Sequence, residues 1–348
     1  MPEFSDRPLT ARSLFRRLKL RHCSREELSI SRAKRDEGWS YHDKDGNEIT
    51  DEAVVKRLSS LAMPPAYENV LYAHDERAHL QAVGRDAAGR LQYRYHPDWE
   101  KVREAEKAHR LTKLVEVLPK IRRAVGQHLS SEQPTKNFVL AAVTELISGS
   151  AIRPGNEEYL KKHGSRGAAT LLKSNVRVSG DMITLVFRGK SRQDVRKEFS
   201  SPRLAAAIAI LKTVPGSRLF QYRDDDGNVK RVTAREVNAF LREIADCKIS
   251  LKDFRTLCAS ASVLEHLART VPAESARGRK KQIRDAVLAA AEKLANTPAV
   301  CRRSYVHDTV VTAFEEGVLE DFSATLKSCR SPARREQFLK QVVAAAQP

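Results

Sequence analysis

A tyrosine directly behind two arginines is the side chain of this sequence best suited to nucleophilic chemistry. The stretch NTPAVCRRSY, residues 296–305, ends in Arg302, Arg303, Ser304 and Tyr305. A free phenol has a pKa of about 10, so it attacks readily only where fixed positive charge surrounds the target group. Arginine supplies that charge at any physiological pH and can hold two phosphate oxygens at once. By itself RRSY is a weak signal, because a basic helix with a packed or interfacial tyrosine is the more common case.

The residues before this tyrosine predict the start of a helix. Thr297 offers a capping hydroxyl, and Pro298 suits the first helical position. Tyr305 would then lie about two turns into the helix, with Arg302 on nearly the same face.

Three other cations occupy positions at turns or at helix starts. In AIRPGNEEY, Arg153 comes just before a Pro-Gly bend that begins a helix. In FRGKS, Lys190 lies at a glycine turn where a strand ends, and in KDFRT, Arg255 lies at the opening of another helix. Taken singly, each is most simply a solvated surface charge. Only their joint occurrence, in this order, argues against that explanation.

The familiar patterns for nucleotide and metal chemistry are absent from the sequence. FRGKS is similar to the end of a phosphate-binding P-loop, but that pattern requires glycine where Thr184 stands. No HExxH and no GxSxG occurs either. We therefore expect no cofactor, no bound metal and no ATP binding, although scattered carboxylates could still assemble in the fold.

The charge and composition of the chain limit its partners and its compartment. Its 348 residues include 62 Lys and Arg against 44 Asp and Glu, a net charge of +18. An excess this large indicates a polyanionic partner, with nucleic acid first and an anionic membrane surface second. Without a membrane-length apolar run or an apolar N-terminal signal, we expect neither insertion nor secretion. Five scattered cysteines indicate free thiols in a reducing compartment, and we expect a cytoplasmic, nucleoid-associated protein.

Turn signals and hydrophobic periodicity predict an α+β protein. Residues 1–30 are basic and weakly patterned, which indicates an arm that is extended or loosely helical. Residues 31–97 contain short strand-like runs separated by turn signals such as Asp45-Gly46 and DAAG, which predicts a small β-rich domain. Residues 98–348 are mainly helical by periodicity, and the nearly all-apolar NFVLAAVTELI predicts a buried helix. The hairpin NVRVSGDMITLVF and the strand DVRKEF predict one small antiparallel sheet in this larger domain.

The order of the candidate residues along the chain resembles that of a known family. The family is the type IB DNA topoisomerases, specifically the small poxvirus-like enzymes found in bacteria, and the residues that match are Arg153, Lys190, Arg255, Asn296 and Tyr305. The resemblance covers nearly the whole chain and includes GRDAAGR, LQYRYHPDW and TPAVCRRSYVH. It implies a monomer whose β-rich DNA-binding domain and mainly α-helical catalytic domain close around duplex DNA as a clamp.

The resemblance also implies a transesterification that needs neither ATP nor metal. Tyr305 would attack a backbone phosphorus, form a 3′-phosphotyrosine and release a 5′-hydroxyl, which attacks back after the broken strand has swivelled. Arg153 and Arg255 would hold the scissile phosphate, and Lys190 would protonate the leaving oxygen, which arginine cannot do. Asn296 stands where the commoner family pattern has histidine. It would donate an uncharged N–H to a non-bridging oxygen, and a plain helix-capping role is the alternative.

The same resemblance assigns residues that contact DNA outside the chemistry. Gln92, Tyr93 and Tyr95 match the family's strand that lies in the DNA groove, where glutamine suits adenine edges. Strand alternation places Gln92 and Arg94 on one side and the two tyrosines on the other. A core role for the tyrosine pair is the alternative. Lys252 is also expected to bind DNA.

Two other functions share part of this pattern. A tyrosine recombinase has the same catalytic fold and nucleophile, but it usually shows HxxR, where this chain has KDFR from Lys252 to Arg255. It also has a helical first domain rather than one made of strands. A non-catalytic architectural DNA-binding protein would explain the charge but not the ordered set of arginine, lysine, arginine and tyrosine. Relaxation of supercoiled plasmid without ATP or divalent metal separates the three functions.

Overall fold

The computed structural model describes residues 10–320 and 331–345 of the chain. Contacts between Cα atoms divide the chain into two compact units, and the division lies between Lys107 and Ala108. It falls inside a long helix, whereas the sequence suggests a boundary after residue 97. The division into residues 1–30, 31–97 and 98–348 remains a prediction.

The first unit is built on a five-stranded antiparallel sheet. Its strands are β1 (Ile30–Lys34), β2 (Trp39–His42), β3 (Glu68–Tyr72), β4 (Leu80–Arg85) and β5 (Leu91–Tyr95). In space they are ordered β2-β1-β3-β4-β5, so β2 and β5 form the two edges.

Both turns expected in this unit are present. In the DAAG turn between β4 and β5, Asp86 accepts backbone N–H groups two and four residues ahead of it, and Gly89 takes φ +71°. In the DG turn after β2, Gly46 takes φ +88°. The run that follows it pairs only through an isolated bridge between His42 and Glu48. The second half of that predicted hairpin is therefore a single bridge rather than a strand.

Two helices and the segment before the sheet complete the first unit. The helices are α1 (Ala11–Arg17) and α2 (Glu52–Ser60), and the second of them was not expected from the sequence. Cys23 and Leu28 are buried against residues of the sheet such as Leu80 and Val83. The described part of the segment expected to be an arm thus contributes to the core of this unit.

The second unit is mainly helical. Helix α3 (Trp99–Leu129) runs across the division. The helices that follow are α4 (Lys136–Ser150), α5 (Glu157–His163), α6 (Pro202–Thr213), α7 (Ala234–Ala245), α8 (Leu251–Ala268), α9 (Ala276–Leu294), α10 (Pro298–Ser304), α11 (Asp308–Glu315) and α12 (Pro332–Ala345). The strands are β6 (Val176–Ser179), β7 (Met182–Arg188) and β8 (Asp194–Ser200), ordered β6-β7-β8, and a separate pair, β9 (Gln221–Arg223) and β10 (Val229–Arg231).

Local sequence signals explain several of these elements. The β6–β7 hairpin turns at Gly180, which has φ +56°, and β8 adds the third strand as expected. Helix α7 begins in a capping box formed by Thr233 and Glu236. Helix α4 is buried along most of its length, as its apolar sequence predicts, and packs in the main core of the unit. The α+β fold class predicted from the sequence is confirmed.

None of the described helices has the length and apolar character needed to cross a membrane. Cys23, Cys247, Cys258 and Cys301 are free thiols. Cys329 lies outside the described residues.

Candidate active site

Arg255 is one of the most deeply buried side chains of the protein, with 1% of its surface exposed. It lies in the second turn of α8, which begins in a capping box where Asp253 accepts the Ser250 backbone N–H at 2.7 Å. Arg255 donates from Nη1 to the Ala151 carbonyl and from Nη2 to the Leu294 carbonyl at 3.1 Å. Its buried Nε has no hydrogen-bond partner in the described part of the chain. A buried cation is costly without partners, so this N–H favours an anion.

Arg153 follows α4 on a loop that two glycines shape. Gly155 has φ +84°, which glycine adopts without strain. Gly167 packs directly against the loop: a Cβ there would lie 2.5 Å from the Arg153 carbonyl oxygen. The half-buried Arg153 guanidinium donates from Nη1 to the Ala295 carbonyl at 3.1 Å and from Nη2 to Asn296 Oδ1. Packing against Gly167 therefore fixes the backbone of Arg153, and the hydrogen bonds fix its guanidinium.

Tyr305 lies at the C-terminal end of α10 rather than inside the helix. Thr297 caps the helix as expected, but the helix ends at Ser304, and Tyr305 has φ −132° and ψ −25°. Tyr305 is thus about two turns from the helix start, as expected, and its backbone N–H still donates to the Cys301 carbonyl at 2.9 Å. Beyond this point the next backbone groups bond to Ser260 of α8. Its hydroxyl donates to the Tyr305 carbonyl and accepts the His307 backbone N–H, both at 3.1 Å.

Positive charge from distant parts of the chain surrounds the Tyr305 phenol. The guanidinium carbon of Arg255 lies 4.9 Å from the centre of the ring. Burial alone would raise the pKa of Tyr305. The charge and hydrogen bond of Arg255, followed by the charges of Arg153 and Lys252, outweigh burial and hold that pKa below its ordinary value. Arg302 forms an ion pair with Asp308 of α11.

The oxygen of the Asn296 side-chain amide is hydrogen-bonded, whereas its nitrogen is not bonded to any described residue. Its Oδ1 accepts from Arg153, and because a guanidinium can only donate, this contact determines which end of the amide is oxygen. Its Nδ2 is buried and has no hydrogen-bond partner among the described residues. A buried donor in this state costs roughly 1–3 kcal/mol, which a ligand oxygen can recover. The side chain that caps α10 is Thr297, which accepts the Val300 N–H, so Asn296 is not the cap.

Lys190 lies at the turn between β7 and β8 and is exposed. The turn closes where the Gly189 N–H donates to the Gln193 carbonyl at 2.8 Å. Ser191 and Arg192 follow with φ +60° and +58°, a region that costs residues other than glycine roughly 1–2 kcal/mol each. Backbone strain of this kind persists where the surrounding structure holds it, and it concentrates at functional sites.

One open pocket of about 350 Å³ collects most of the predicted residues. It is lined by Arg153, Lys190, Lys252, Arg255 and Tyr305. Asn296 is not a lining residue, but it contacts Arg153. The sequence analysis missed Tyr159, which is 56% exposed on α5, and Arg166, which precedes Gly167. The one available signal was the stretch GSRG, in which a cation adjoins glycine as Lys190 does in FRGKS.

The strand expected to contact bases is β5, an edge strand of the first unit. Tyr93 and Tyr95 are 45% and 41% exposed, so they are not core residues. Their rings stack with centroids 6.2 Å apart and 17° between their planes, which places them on one side of the strand as predicted. Gln92 donates from Nε2 to Asp86 Oδ2 at 2.9 Å, so the β4–β5 turn orients this amide. Base contact by these residues stays a prediction.

Known proteins and families resemble the chain over most of its length. A family model for the catalytic core of eukaryotic DNA topoisomerase I matches residues 96–331, and one for the N-terminal domain of bacterial DNA topoisomerase IB matches residues 38–86. The DNA topoisomerase 1B of Acanthamoeba polyphaga mimivirus is 32% identical over 293 residues, which cover 82% of this chain and 87% of the relative. The DNA topoisomerase I of Monkeypox virus is 25% identical over 288 residues, which cover 77% of this chain and 87% of that relative.

These similarities, together with the fold and the pocket, place the chain among the type IB DNA topoisomerases. It belongs to that family, whose members are DNA-binding isomerases. The predicted family and the predicted enzymatic function, a DNA topoisomerase of type IB, are confirmed. The roles of single residues in the pocket remain predictions.

Proposed function

We propose that the pocket around Tyr305 is the centre at which this topoisomerase cleaves and rejoins one strand of duplex DNA. The observation that supports this most strongly is the position of the phenol ring against the buried Arg255 guanidinium, 4.9 Å from its carbon. A cation that lowers the pKa of the nucleophile is also suitably placed for the phosphate oxygens that the nucleophile approaches.

The proposed reaction exchanges one phosphodiester for another. The Tyr305 oxygen attacks a backbone phosphorus, and the bond from phosphorus to the 5′-oxygen breaks, which leaves a 3′-phosphotyrosine. The departing oxygen takes a proton and becomes a 5′-hydroxyl. After the broken strand has swivelled and supercoils have relaxed, this hydroxyl attacks the phosphotyrosine and restores the strand. Because the number of phosphodiester bonds is conserved, no ATP is required. The cationic side chains of the pocket would provide the charge stabilisation that a metal ion provides in other phosphoryl-transfer enzymes.

Arg153 and Arg255 stabilise the charge that develops on the scissile phosphate. Each guanidinium has five N–H donors. Hydrogen bonds to the carbonyls of Ala151, Leu294 and Ala295 orient the pair before DNA arrives and leave further donors for phosphate oxygens. Donors that are already oriented cost no reorganisation at the moment of reaction.

The remaining polar groups have distinct proposed roles. Lys190, on the strained turn between β7 and β8, protonates the leaving 5′-oxygen as a general acid. Asn296 donates from its unpartnered Nδ2 to a non-bridging oxygen. Lys252, exposed in the first turn of α8, adds positive charge and binds a DNA phosphate.

The substrate is duplex DNA, which the net charge of +18 favours electrostatically. Gln92, Tyr93 and Tyr95 contact bases along β5. All the residues of the proposed chemistry come from one chain, so the enzyme acts as a monomer. We place its activity on the nucleoid in the cytoplasm.

Trapping the covalent complex tests the proposed function. A duplex whose short 5′-hydroxyl fragment dissociates after cleavage accumulates the complex, and mass spectrometry after digestion identifies the linked residue and nucleotide. In the presence of EDTA we expect a link between Tyr305 and a 3′-phosphate, and none in Tyr305→Phe, which should still bind DNA. Tyr222→Phe, which loses the same hydroxyl on β9, is the matched control and should form the complex normally. A link through another residue, or to a 5′-phosphate, contradicts the proposal.

A further inference from the structure

Arg166 lines the pocket that contains the phenol, although the proposed chemistry gives it no role. Its backbone N–H donates to the carbonyl of Arg188, the last residue of β7, at 2.8 Å. Its neighbour Gly167 packs against the carbonyl of Arg153. Arg166 is therefore tied at the backbone both to the loop of Arg153 and to the hairpin of Lys190.

The guanidinium of Arg166 has a fixed direction. Its Nη1 donates to the Thr170 carbonyl at 2.8 Å, and the same oxygen accepts from Arg218 Nη1, also at 2.8 Å. A carbonyl oxygen has two lone pairs, so these contacts use its full capacity. The other N–H groups of Arg166 form no hydrogen bond with any residue that the structure describes.

The carboxylate that attracts Arg166 is paired with another arginine. The nearby Glu157 pairs instead with Arg218, at 2.9 Å. Arg166 forms no ion pair within residues 10–320 and 331–345. Partial burial, followed by the like charge of Arg218, lowers the pKa of Arg166 despite the opposing effect of Glu157. The group stays protonated, because a guanidinium loses its proton only above a pH of about 12. A half-buried cation beside a second cation is stabilised when an anion binds.

We propose that Arg166 forms a second phosphate subsite, which binds a backbone phosphodiester of the cleaved strand beside the scissile one. The inference rests on the proposed function, because it needs the cleaved strand to lie in this pocket. In the proposed chemistry the scissile phosphate is held by Arg153 and Arg255, whose guanidiniums are hydrogen-bonded to carbonyls at the end of α9. Arg166 stands on a separate segment that opens into the same pocket, and neighbouring phosphates of one strand are about 3.4 Å apart along the helix axis.

The subsite sets the register of the strand. A phosphate held by Arg166 fixes the strand at a second point, so that a particular phosphodiester faces Tyr305. Because Gly167 and Arg188 tie Arg166 to the two loops that hold Arg153 and Lys190, the spacing between the subsite and the reacting groups is determined by the backbone. Arg166 is thus a binding and positioning residue rather than a reacting group.

Duplexes with a single neutral methylphosphonate linkage test the subsite one phosphate at a time. Single-turnover cleavage by the wild type should slow at each contacted phosphate. In Arg166→Gln, which removes the charge but keeps an N–H donor for Thr170, we expect the penalty to disappear at a position next to the scissile phosphate and to persist elsewhere. On unmodified DNA, binding should weaken roughly tenfold or more, and the slope of log K against log salt should fall by about 0.9.

A matched control removes an arginine far from the pocket. Arg269 follows α8 at its C-terminal end, about 21 Å from Arg255 at 1.5 Å per residue, and pairs with Glu265 at 2.7 Å. Arg269→Gln loses the same charge and should keep the wild-type methylphosphonate profile. Thermal unfolding should show both variants folded. If Arg166→Gln does not fold, Arg166→Lys replaces it and should show a reduced penalty at the same position.

The outcomes separate the subsite from a purely structural role. If Arg166 has only a structural role, its replacement should not change how strongly each neutral linkage slows cleavage. A folded Arg166 variant that is slowed by the same linkages, and to the same extent, as the wild type therefore overturns the subsite. A uniform loss of rate at every position overturns it as well. Either result leaves the proposed function standing if the wild type still forms the Tyr305 complex, whereas the absence of that complex refutes the proposed function itself.

Discussion

Asn296 accepts a hydrogen bond from Arg153 through Oδ1 and buries its Nδ2 without a partner in the described part of the chain. One neighbour therefore orients the amide and leaves its donating end for a ligand. The uncharged donor stands beside a guanidinium proposed to bind the scissile phosphate. The two ends of the amide can be tested separately, because one only accepts and the other only donates.

Replacing Asn296 should slow cleavage without weakening DNA binding. Losing a single donor to a developing oxyanion elsewhere costs roughly 10²–10³ in rate, but beside two arginines we expect only about tenfold for Asn296→Ala. Asn296→Asp keeps the acceptor for Arg153 but has no N–H, so it should be at least as slow. Asn296→His should stay active and gain a pH dependence near about 6.5, where imidazole titrates. Single-turnover rates and DNA affinity measure these effects, and a wild-type rate in Asn296→Ala would show that Nδ2 has no role.

Lys190→Ala should lose its defect on a substrate whose leaving group needs no proton. On ordinary DNA we expect cleavage to slow by roughly 10²–10⁴, as for other general acids. With sulfur in place of the 5′-bridging oxygen, the variant should cleave near the wild-type rate. Lys252→Ala is the matched control from the same pocket: if Lys252 only binds phosphate, its defect should be equal on both substrates. Equal defects for Lys190→Ala on both substrates would contradict the assignment of the acid.

Gly167→Ala should impair cleavage by displacing the loop of Arg153. The added Cβ would lie 2.5 Å from both the Arg153 carbonyl oxygen and the Gly155 nitrogen, so the backbone must move. We expect a loss of cleavage rate larger than the loss of DNA affinity. Gly164→Ala is the control, since its Cβ meets no atom within 4 Å and its φ of +65° adds only local strain of roughly 1–2 kcal/mol. Similar activities for the two variants at similar thermal stability would show that the Gly167 contact does not position Arg153.

Tyr305 should ionise at a lower pH than the buried Tyr72. Its neighbouring cations lower its pKa, whereas burial raises the pKa of Tyr72 to about 12. The difference in tyrosinate absorbance between the wild type and Tyr305→Phe should therefore appear below pH of about 10. Lys252→Ala should move that difference to higher pH. A difference that develops only above about 10 would show that the cations do not act on this phenol.

The lowered pKa of Tyr305 also makes the free energy of unfolding depend on pH. Because the folded pKa of Tyr305 is depressed, its ionisation adds stability as the pH rises through that pKa, and the gain is complete above the pKa of the unfolded chain. The gain is lost as the pH falls again through the folded pKa. Tyr305→Phe should lack this increment, which denaturant unfolding over the alkaline range would measure.

Features that depend on a few adjacent residues were predictable from the sequence. The Thr297 cap, the capping box at Thr233 and the turn at Gly180 follow from residues within one helical turn or one hairpin. The order of Arg153, Lys190, Arg255, Asn296 and Tyr305 was sufficient to indicate the family. The pocket then brings four of these side chains together at its surface.

Features that depend on contacts between distant segments were not predictable. The Ser260 hydroxyl on α8 donates to the Tyr305 carbonyl and accepts the His307 backbone N–H, a contact that no pattern near Tyr305 indicates. Arg166 reaches the pocket because Gly167 fits against the loop of Arg153, a contact that no local pattern reveals. The burial of Cys23 under the first sheet is another such case.

The C-terminal end of α9 places a partial negative charge beside the two arginines of the site. The last carbonyls of a helix bear the negative end of its macrodipole, equivalent to about half an elementary charge, and here the carbonyls of Leu294 and Ala295 accept from Arg255 and Arg153. The two guanidiniums therefore serve as cationic caps for a 19-residue helix while no DNA is bound. Any change that frays this helix end would therefore remove one hydrogen-bond acceptor from each arginine, even though it alters no group that touches DNA.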